Sequence, residues 1–259
     1  MALLKVLLLL LGLVKSFFAS SGVSVNSDVS LQKRIIGGHN CADTERLYHV
    51  RLEGTAGHSK TICGGSLIHP KWILTATHCW KSETRRLEVV VVKVHPRTGE
   101  EQHHIVTHNP VLYTDGSREH GIMLLKLQKR VTNVPLAQLP DCSYRLKIGD
   151  IVQLAGEGAT TTGPNNRRLT DGEIPAHLQC VDMNVVEISQ VQPKYGHVFS
   201  IAAPNKDSCR GESGGAAVYN NMIYGVIVET GPIHACQRPV YINDVCEYIG
   251  WIKTTIGLK

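Results

Sequence analysis

One histidine and one serine of this chain stand in local contexts that suit nucleophilic catalysis. His78 lies in the stretch TATHC at 75–79, and Ser213 lies in DSCRGESGG at 207–215. A serine hydroxyl attacks a carbonyl carbon only when a positioned base takes its proton, so Ser213 needs an imidazole within hydrogen-bonding distance. Glycines around the serine leave backbone N–H groups free to face the oxyanion that develops in acyl transfer. Together the two stretches indicate a serine nucleophile with a histidine base, whereas His78 alone is an ordinary histidine beside a cysteine.

A third stretch, RIIGG at 34–38, precedes these two in the chain. Taken together, RIIGG, TATHC and DSCRGESGG resemble the trypsin-like serine proteases, and the resemblance runs in the expected order from Ile35 to the C-terminus. It implies His78 as the general base and the amides of Gly211 and Ser213 as the oxyanion donors. It also implies that polypeptides are the substrates and that peptide bonds are hydrolysed by acyl transfer.

The resemblance further implies a zymogen that an activating protease cuts after Arg34. Cleavage frees the amine of Ile35, which in this family inserts beside the carboxylate that precedes the nucleophile. Here that carboxylate is Glu212, where the family usually has aspartate. The charge is kept, but one extra methylene has to fit a buried ion pair whose contribution depends on good geometry.

Gly121 lies in EHGIMLLKL (119–127), which alternates loosely in the manner of a half-buried β-strand. From the strand pattern alone, a glycine here indicates a bulge or a close approach of backbone. In the family this position carries the aspartate that accepts the imidazole N–H, and losing that aspartate costs on the order of 10⁴ in rate. The glycine on its own therefore favours an inactive homologue that acts as a binding protein.

Glu229 changes that interpretation because it stands where the family has a serine beside the triad aspartate. A glutamate at the base of the cleft is costly unless it is paired, and the nearest expected cation is the imidazole of His78. The vacancy at Gly121 and the new carboxylate suggest compensation. We therefore expect a relocated triad of Ser213, His78 and Glu229 in a serine endopeptidase, with the inactive homologue as the alternative.

Asp207, six residues before the nucleophile, matches the pocket-floor carboxylate of trypsins, which implies cleavage after Arg or Lys. The opposing wall departs from the family, since Val240 stands where glycine is usual and Thr230 replaces a tryptophan. Valine at that position narrows the pocket and buries Asp207. We expect substrate contacts at Asp207, Gly231 and Val240, with a preference for basic residues.

The N-terminal residues have the pattern of a secretory signal. Lys5 precedes an apolar run that is followed by small residues, which predicts a signal peptide over 1–19. A polar, serine-rich stretch ending in Lys33 and Arg34 then predicts an activation propeptide over 20–34. We expect the mature protein to be secreted, extracellular and not anchored in a membrane.

Eight cysteines in a secreted chain predict four disulfides. Their spacing does not assign partners. The family resemblance implies the pairs Cys41–Cys180, Cys63–Cys79, Cys142–Cys246 and Cys209–Cys236.

Short runs rich in β-branched residues recur between turn signals, at 61–68, 87–94, 150–154, 181–188 and 223–229. This spacing favours an all-β sandwich or barrel. Apolar residues at helical spacing from Val245 to Ile256 predict a closing amphipathic helix. The resemblance implies a trypsin-like domain over 35–259, with two six-stranded antiparallel β-barrels at about 35–139 and about 140–259.

Composition excludes several other classes of protein. Of 259 residues, 42% are hydrophobic and 19% charged, which indicates a compact globular chain, and the net charge of +5 is too mild to predict a nucleic-acid partner. The histidines at 103, 104 and 108 are expected to face solvent and not to bind zinc. We expect no metal or cofactor, and a monomer whose partners are polypeptide substrates, the activating protease and protein inhibitors.

Overall fold

The structure, a computed structural model of the chain, describes residues 37–56, 59–80, 86–92, 102–106, 108–157, 165, 177–208, 211–229 and 239–258. At 55–56, 59–61, 86–92, 102–105 and 229 the description covers the backbone only. The predicted signal peptide, the propeptide, Ile35, Thr230 and Gly231 lie outside the described residues. Among those that are described, no helix combines the length and the apolar content needed to cross a membrane.

Eight strands belong to the first half of the chain: β1 (His39–Asn40), β2 (His49–Ala56), β3 (Ser59–His69), β4 (Trp72–Ala76), β5 (Arg86–Val92), β6 (Gln102–Ile105), β7 (Val111–Asp115) and β8 (Arg118–Lys126). The second half supplies β9 (Ile151–Gly156), β10 (Gln179–Gln192), β11 (Gly196–Ala202), β12 (Ala216–Tyr219), β13 (Met222–Glu229), β14 (Val240–Asp244) and the helix α1 (Val245–Ile256). The runs of β-branched residues predicted as strands fall on strands, apart from residue 150, which directly precedes β9, and residues 93 and 94, which are not described. The predicted closing helix is confirmed.

The second half forms a closed barrel. Its strands follow the order β10, β11, β14, β13, β12, β9, and β9 pairs again with β10, so six antiparallel strands close on themselves while β1 adds to the outside of β10. Closure leaves the barrel itself without unpaired edges. The predicted six-stranded barrel is therefore confirmed in this half.

The first half forms an antiparallel sheet of seven strands in the order β6, β5, β2, β3, β4, β8, β7. Its two terminal strands, β6 and β7, are consecutive in the chain and are separated only by residues 106–110. Pro110 has no N–H to donate to a ladder, which accounts for a break at this point. Counted as one interrupted strand, β6 and β7 give the six strands that the sequence predicts.

The two largest apolar clusters among the described residues stabilise these sheets. The larger fills the first sheet around Leu74 and continues through Val228 of β13 to Ile252 of α1, so it also lines the face between the two halves. The smaller fills the closed barrel around Leu154 and Ile242. Each fully buried side chain of this size contributes about 1.5–3 kcal/mol relative to an exposed one.

The helix α1 has well-defined ends. The carboxylate of Asp244 accepts a hydrogen bond from the N–H of Cys246 at the N-terminus, and Gly257, at φ +79°, ends the helix in the left-handed region. One face of the helix is buried and carries Val245, Tyr248 and Ile252.

Three predicted disulfides are confirmed: Cys41–Cys180, Cys63–Cys79 and Cys142–Cys246. The bridge Cys142–Cys246 fastens the start of α1 to the segment before β9. The fourth predicted pair, Cys209–Cys236, lies outside the described residues.

Candidate active site

The predicted nucleophile, Ser213, is half-buried in a tight turn just before β12. Two glycines of this turn have positive φ, +100° at Gly211 and +82° at Gly214. L-residues rarely adopt this conformation, whereas glycine does so at no steric cost. The glycines around the serine are therefore required by the path of the backbone.

Backbone hydrogen bonds between described residues hold the turn. The N–H of Gly64 in β3 donates to the carbonyl oxygen of Ser213 at 2.7 Å, and the N–H of Gly214 donates to Ile227 of β13 at 2.7 Å. Gly215 donates to the carbonyl of Glu212 at 2.8 Å. The turn is thus fixed to strands of both halves of the molecule.

Gly214 has no room for a side chain. A β-carbon at this position would overlap both the hydroxyl of Thr75 and the carbonyl oxygen of Gly64, and the same hydroxyl donates to the same carbonyl at 2.8 Å. The nucleophile's turn therefore packs directly on the backbone of β3 and on a buried side chain of β4.

His78 lies in the short 3₁₀ turn Thr77–Cys79 that follows β4, and its side chain is exposed. Its Nε2 is 3.9 Å from Sγ of Cys79, and the same sulfur is 3.6 Å from the carbonyl oxygen of Ser213. The predicted base and the predicted nucleophile therefore flank one disulfide sulfur.

The sulfurs of Cys63 and Cys79 and the ring of His78 lie close enough to resemble a metal-binding group among the described residues. Metal binding by cysteine requires a thiolate. Both sulfurs are used in the disulfide, so the group is not a metal site.

Gly121, the position of the missing aspartate, is buried in an irregular part of β8. Between the pairs Leu112–Met123 and Thr114–Glu119, β8 has three intervening residues and β7 has one, so β8 bulges around the glycine. The interpretation of Gly121 as a bulge with a close backbone approach agrees with this geometry.

The space beside Gly121 is filled. An ideal β-carbon there would lie 2.8 Å from Oδ1 of Asn243 and 3.0 Å from Cγ1 of Val228. The backbone N–H of Gly121 donates to the carbonyl oxygen of Tyr195 at 2.8 Å. Among the described atoms, the neighbours of the vacated position are thus an amide, a methyl group and a carbonyl.

Glu229 is the last residue of β13 and pairs in register with Tyr241 of β14. It directly follows Val228, whose methyl group faces Gly121. The backbone of Glu229 is therefore adjacent to the vacated position, while its side chain lies outside the described atoms.

Two of the predicted acidic residues are buried. Glu212 is 0% exposed, and its Cγ packs 2.6 Å from the position that a β-carbon of Gly156 would take. Asp207 is 1% exposed, and its carboxylate accepts the N–H of Ser208 at 2.7 Å. Val240, expected at the pocket wall, is 1% exposed and packs in the core of the closed barrel.

A buried ion pair also joins the two halves near this region. Nη1 of Arg51 in β2 lies 3.4 Å from the carboxylate of Glu157, which follows β9, and Nε of Arg51 lies 2.7 Å from Glu53. Only 9% of the Arg51 side chain and 4% of the Glu157 side chain are exposed. Because the pair is buried, its effect on the stability of the fold depends on its geometry.

Sequence reasoning missed Asn243 and Thr75, although each left a signal. Asn243 is a polar residue that follows the run VYI in β14 (VYIND). Polar side chains in such a position are buried when they are hydrogen-bonded. Thr75 is 0% exposed in the fully buried strand WILTA. Neither signal names the partner, because Gly121 and Gly64 belong to other strands.

Two antiparallel β-sheet units with a serine–glycine turn fixed between them, next to a histidine and its disulfide, define the architecture of the trypsin-like serine proteases. Residues 35–252 match the sequence profile of the family described as trypsin, so the chain belongs to that family.

Similar proteins agree with this assignment. Trypsin-4 of Rattus norvegicus is 32% identical over 261 residues, covering 94% of this chain and 98% of that protein. Trypsin I-P1 of Gallus gallus is 31% identical over 253 residues, covering 91% of this chain and 95% of that protein. The solved structure of neuropsin, a serine protease expressed in the limbic system of mouse brain, superposes with a TM-score of 0.65 at 23% identity, covering 85% of this chain and 98% of that one, and supports the fold.

Proposed function

We propose that this protein is a secreted serine endopeptidase zymogen that, once cut after Arg34, hydrolyses peptide bonds through Ser213 and His78. The observation that carries the proposal is the Ser213 turn: its carbonyl is bonded to Gly64, its glycines have positive φ, and it shares a disulfide sulfur with His78.

The proposed reaction follows from these groups. The imidazole of His78 takes the proton of the Ser213 hydroxyl as the oxygen attacks the substrate carbonyl, and the N–H groups of Gly211 and Ser213 stabilise the oxyanion. The imidazolium then gives its proton to the leaving amine, which forms the acyl-enzyme. Water, deprotonated by the same imidazole, releases the acid and regenerates the hydroxyl.

Glu229 is the proposed acceptor for the second imidazole nitrogen. Its backbone lies one residue beyond Val228, which contacts the Gly121 position, so the carboxylate is carried by a strand that borders the vacated site. A carboxylate near the imidazole favours its protonated form and fixes its tautomer. This assignment supplies the function that Gly121 lost from another strand.

Activation is proposed to dock the new N-terminus on the closed barrel. The β-carbon position of Gly37 lies 2.7 Å from the carbonyl oxygen of Asn205, so the chain after the cleavage site already contacts the segment leading to Asp207. Ile35 is two residues earlier, which spans at most about 7 Å of extended chain. The buried carboxylate of Glu212 is the proposed partner of its amine.

Cleavage after Arg or Lys is proposed from Asp207. This residue is 1% exposed, and its carboxylate, as the proposed floor of the substrate pocket, would favour a cationic side chain of the substrate. Arginyl, phenylalanyl and alanyl esters, otherwise matched, test this proposal. Arginyl substrates should be preferred in kcat/KM, and Asp207→Asn should remove most of that preference; equal rates on all three esters would reject basic specificity.

The activity is tested on the protein cleaved after Arg34, with small ester and amide substrates. Wild type should exceed Ser213→Ala by at least about 10³ in kcat, and Glu229→Gln should lose about 10²–10⁴. Wild type no faster than Ser213→Ala would leave the chain as an inactive binding homologue. Full activity in Glu229→Gln would reject only the relocated carboxylate.

A further inference from the structure

The side chain of Asn243 is 0% exposed and its orientation is set by two backbone carbonyls. Its Nδ2 donates to the carbonyl of Tyr195 at 2.8 Å and to that of His197 at 3.1 Å. Carbonyls accept and do not donate, so the amide nitrogen has to face them and the amide oxygen has to face away. The oxygen consequently points to Gly121.

That oxygen is a buried acceptor with an unusual neighbour. Among the described residues, Oδ1 of Asn243 has no hydrogen-bond partner, and it lies 2.8 Å from the β-carbon position of Gly121. A side chain at 121 would begin in contact with this oxygen. A carboxylate there would add a second acceptor, and two oxygen acceptors without a shared proton repel.

Asn243 and Gly121 are also joined through one acceptor. The carbonyl of Tyr195 accepts from the N–H of Gly121 and from Nδ2 of Asn243, both at 2.8 Å. The next residue of β8, Ile122, pairs with Ala76, two residues before His78. Asn243 is therefore linked through Tyr195 and β8 to the turn that carries the proposed base.

We propose that the Asn243 amide and a side chain at position 121 are mutually exclusive occupants of one site, so that Asn243 fills the space that a side chain at 121 would take. The site accepts either the amide at 243 or a carboxylate at 121. Aspartate introduced at 121 alone does not fit the site, whereas aspartate introduced together with removal of the amide enters it and accepts the second imidazole N–H in place of Glu229. The catalytic part of this inference rests on the proposed function, and the packing part does not.

A double-mutant cycle with Gly121→Asp and Asn243→Ala tests the exclusion. Loss of the Tyr195 and His197 hydrogen bonds occurs in both variants that carry Asn243→Ala, so it cancels in the coupling. Gly121→Asp alone should lower the urea midpoint and should not raise kcat. When Gly121→Asp is added to Asn243→Ala, it should lower the urea midpoint far less than it does in wild type. The double variant should also have a kcat about tenfold above that of Asn243→Ala.

A second readout separates positioning of His78 from folding. A carboxylate next to an imidazole raises the pKa of that imidazole. The acid limb of the kcat/KM profile should therefore move to higher pH in the double variant relative to Asn243→Ala. The matched cycle with Gly121→Ala should show the stability coupling without this shift.

The proposal that the Asn243 amide and a side chain at 121 exclude each other would be overturned if the two changes shifted the urea midpoint additively. It would also be overturned by a Gly121→Asp variant that is as stable as wild type and faster. Should wild type prove no faster than Ser213→Ala, the proposed function fails, yet the midpoints still test the packing. Should wild type be active with additive midpoints, the exclusion fails and the proposed function stands.

Discussion

The backbone N–H of Gly64 donates to the carbonyl oxygen of Ser213 at 2.7 Å, which joins the nucleophile's turn to the strand that carries Cys63. The partner of that cysteine, Cys79, follows His78 directly. A single strand, β3, therefore fixes the serine through a hydrogen bond and the histidine through a disulfide. The relative position of the two groups depends on β3 more than on either local loop.

Gly214→Ala should disrupt this arrangement. The new β-carbon would overlap Thr75 and the carbonyl of Gly64 at a φ of +82°, so we expect a loss of about 3 kcal/mol or more in the free energy of unfolding. Gly250→Ala is the control, because this helical position has no atom within 4 Å of its β-carbon, and it should stabilise by about 0.5–1 kcal/mol. Urea denaturation of both variants measures the difference; equal stability would contradict the tight packing of the turn.

The buried pair Arg51–Glu157 should contribute to the free energy of unfolding, so the loss of either partner should destabilise the protein. Glu157→Gln removes the carboxylate that lies 3.4 Å from the buried guanidinium and should cost about 1–3 kcal/mol, with Glu53 still 2.7 Å from Nε of Arg51. Arg51→Met combined with Glu157→Leu should recover part of that loss, because both charges of this buried pair are then gone.

An exposed pair provides the comparison for this measurement. Arg118 and Asp115 lie 3.7 Å apart with 47% and 66% of their side chains exposed, so Asp115→Asn should cost less than about 1 kcal/mol. Chemical denaturation of the three variants gives the ranking. A Glu157→Gln variant no less stable than Asp115→Asn would show that the buried pair does not join the halves.

His120 should make stability depend on pH. Burial, with Arg118 and His197 adding to it, lowers the pKa of His120 below its usual 6.5, and Tyr248 places its hydroxyl 2.9 Å from Nδ1. That hydroxyl accepts the N–H of His197, and its own hydrogen is available to donate to Nδ1 of a neutral imidazole. The unfolded chain binds this proton more tightly than the folded one, so stability falls as pH drops below about 6.5.

His120→Asn tests that dependence, since asparagine offers an acceptor in a similar place and does not titrate. Wild type should lose stability between pH 6.5 and more acidic values, and the variant should lose less over the same range. Thermal or urea unfolding followed across this range supplies the slopes. Identical slopes would mean that His120 is not held neutral in the folded protein.

Much of the fold followed from local patterns. The strand runs and the closing helix were predictable because β-branched runs and helical spacing act over short stretches. The three described disulfides followed from the family resemblance, since cysteine spacing alone does not assign partners. The break between β6 and β7 was not predicted, although Pro110 lacks the N–H that a ladder needs.

The contacts around Gly121 were not predictable from the sequence. They depend on how β8, β14 and the Tyr195–His197 segment come together, and these are separated by more than 40 residues in the chain. The sequence predicted a vacancy at Gly121, but it gave no sign that Asn243 and Val228 border that space. Likewise, the family resemblance implied that Val240 lies at a pocket wall, and it did not show that this side chain contacts the apolar cluster of the closed barrel.

The most direct test of the account is covalent labelling of Ser213 by a fluorophosphonate, which forms a bond between the serine oxygen and phosphorus and expels fluoride only when the serine is activated. In protein cleaved after Arg34, mass spectrometry should find one adduct per chain, on Ser213, and none in Ser213→Ala. His78→Ala should slow labelling by at least about 10²-fold, because it removes the base. A correctly folded, cleaved protein whose Ser213 stays unlabelled would contradict the claim that this turn holds a working nucleophile.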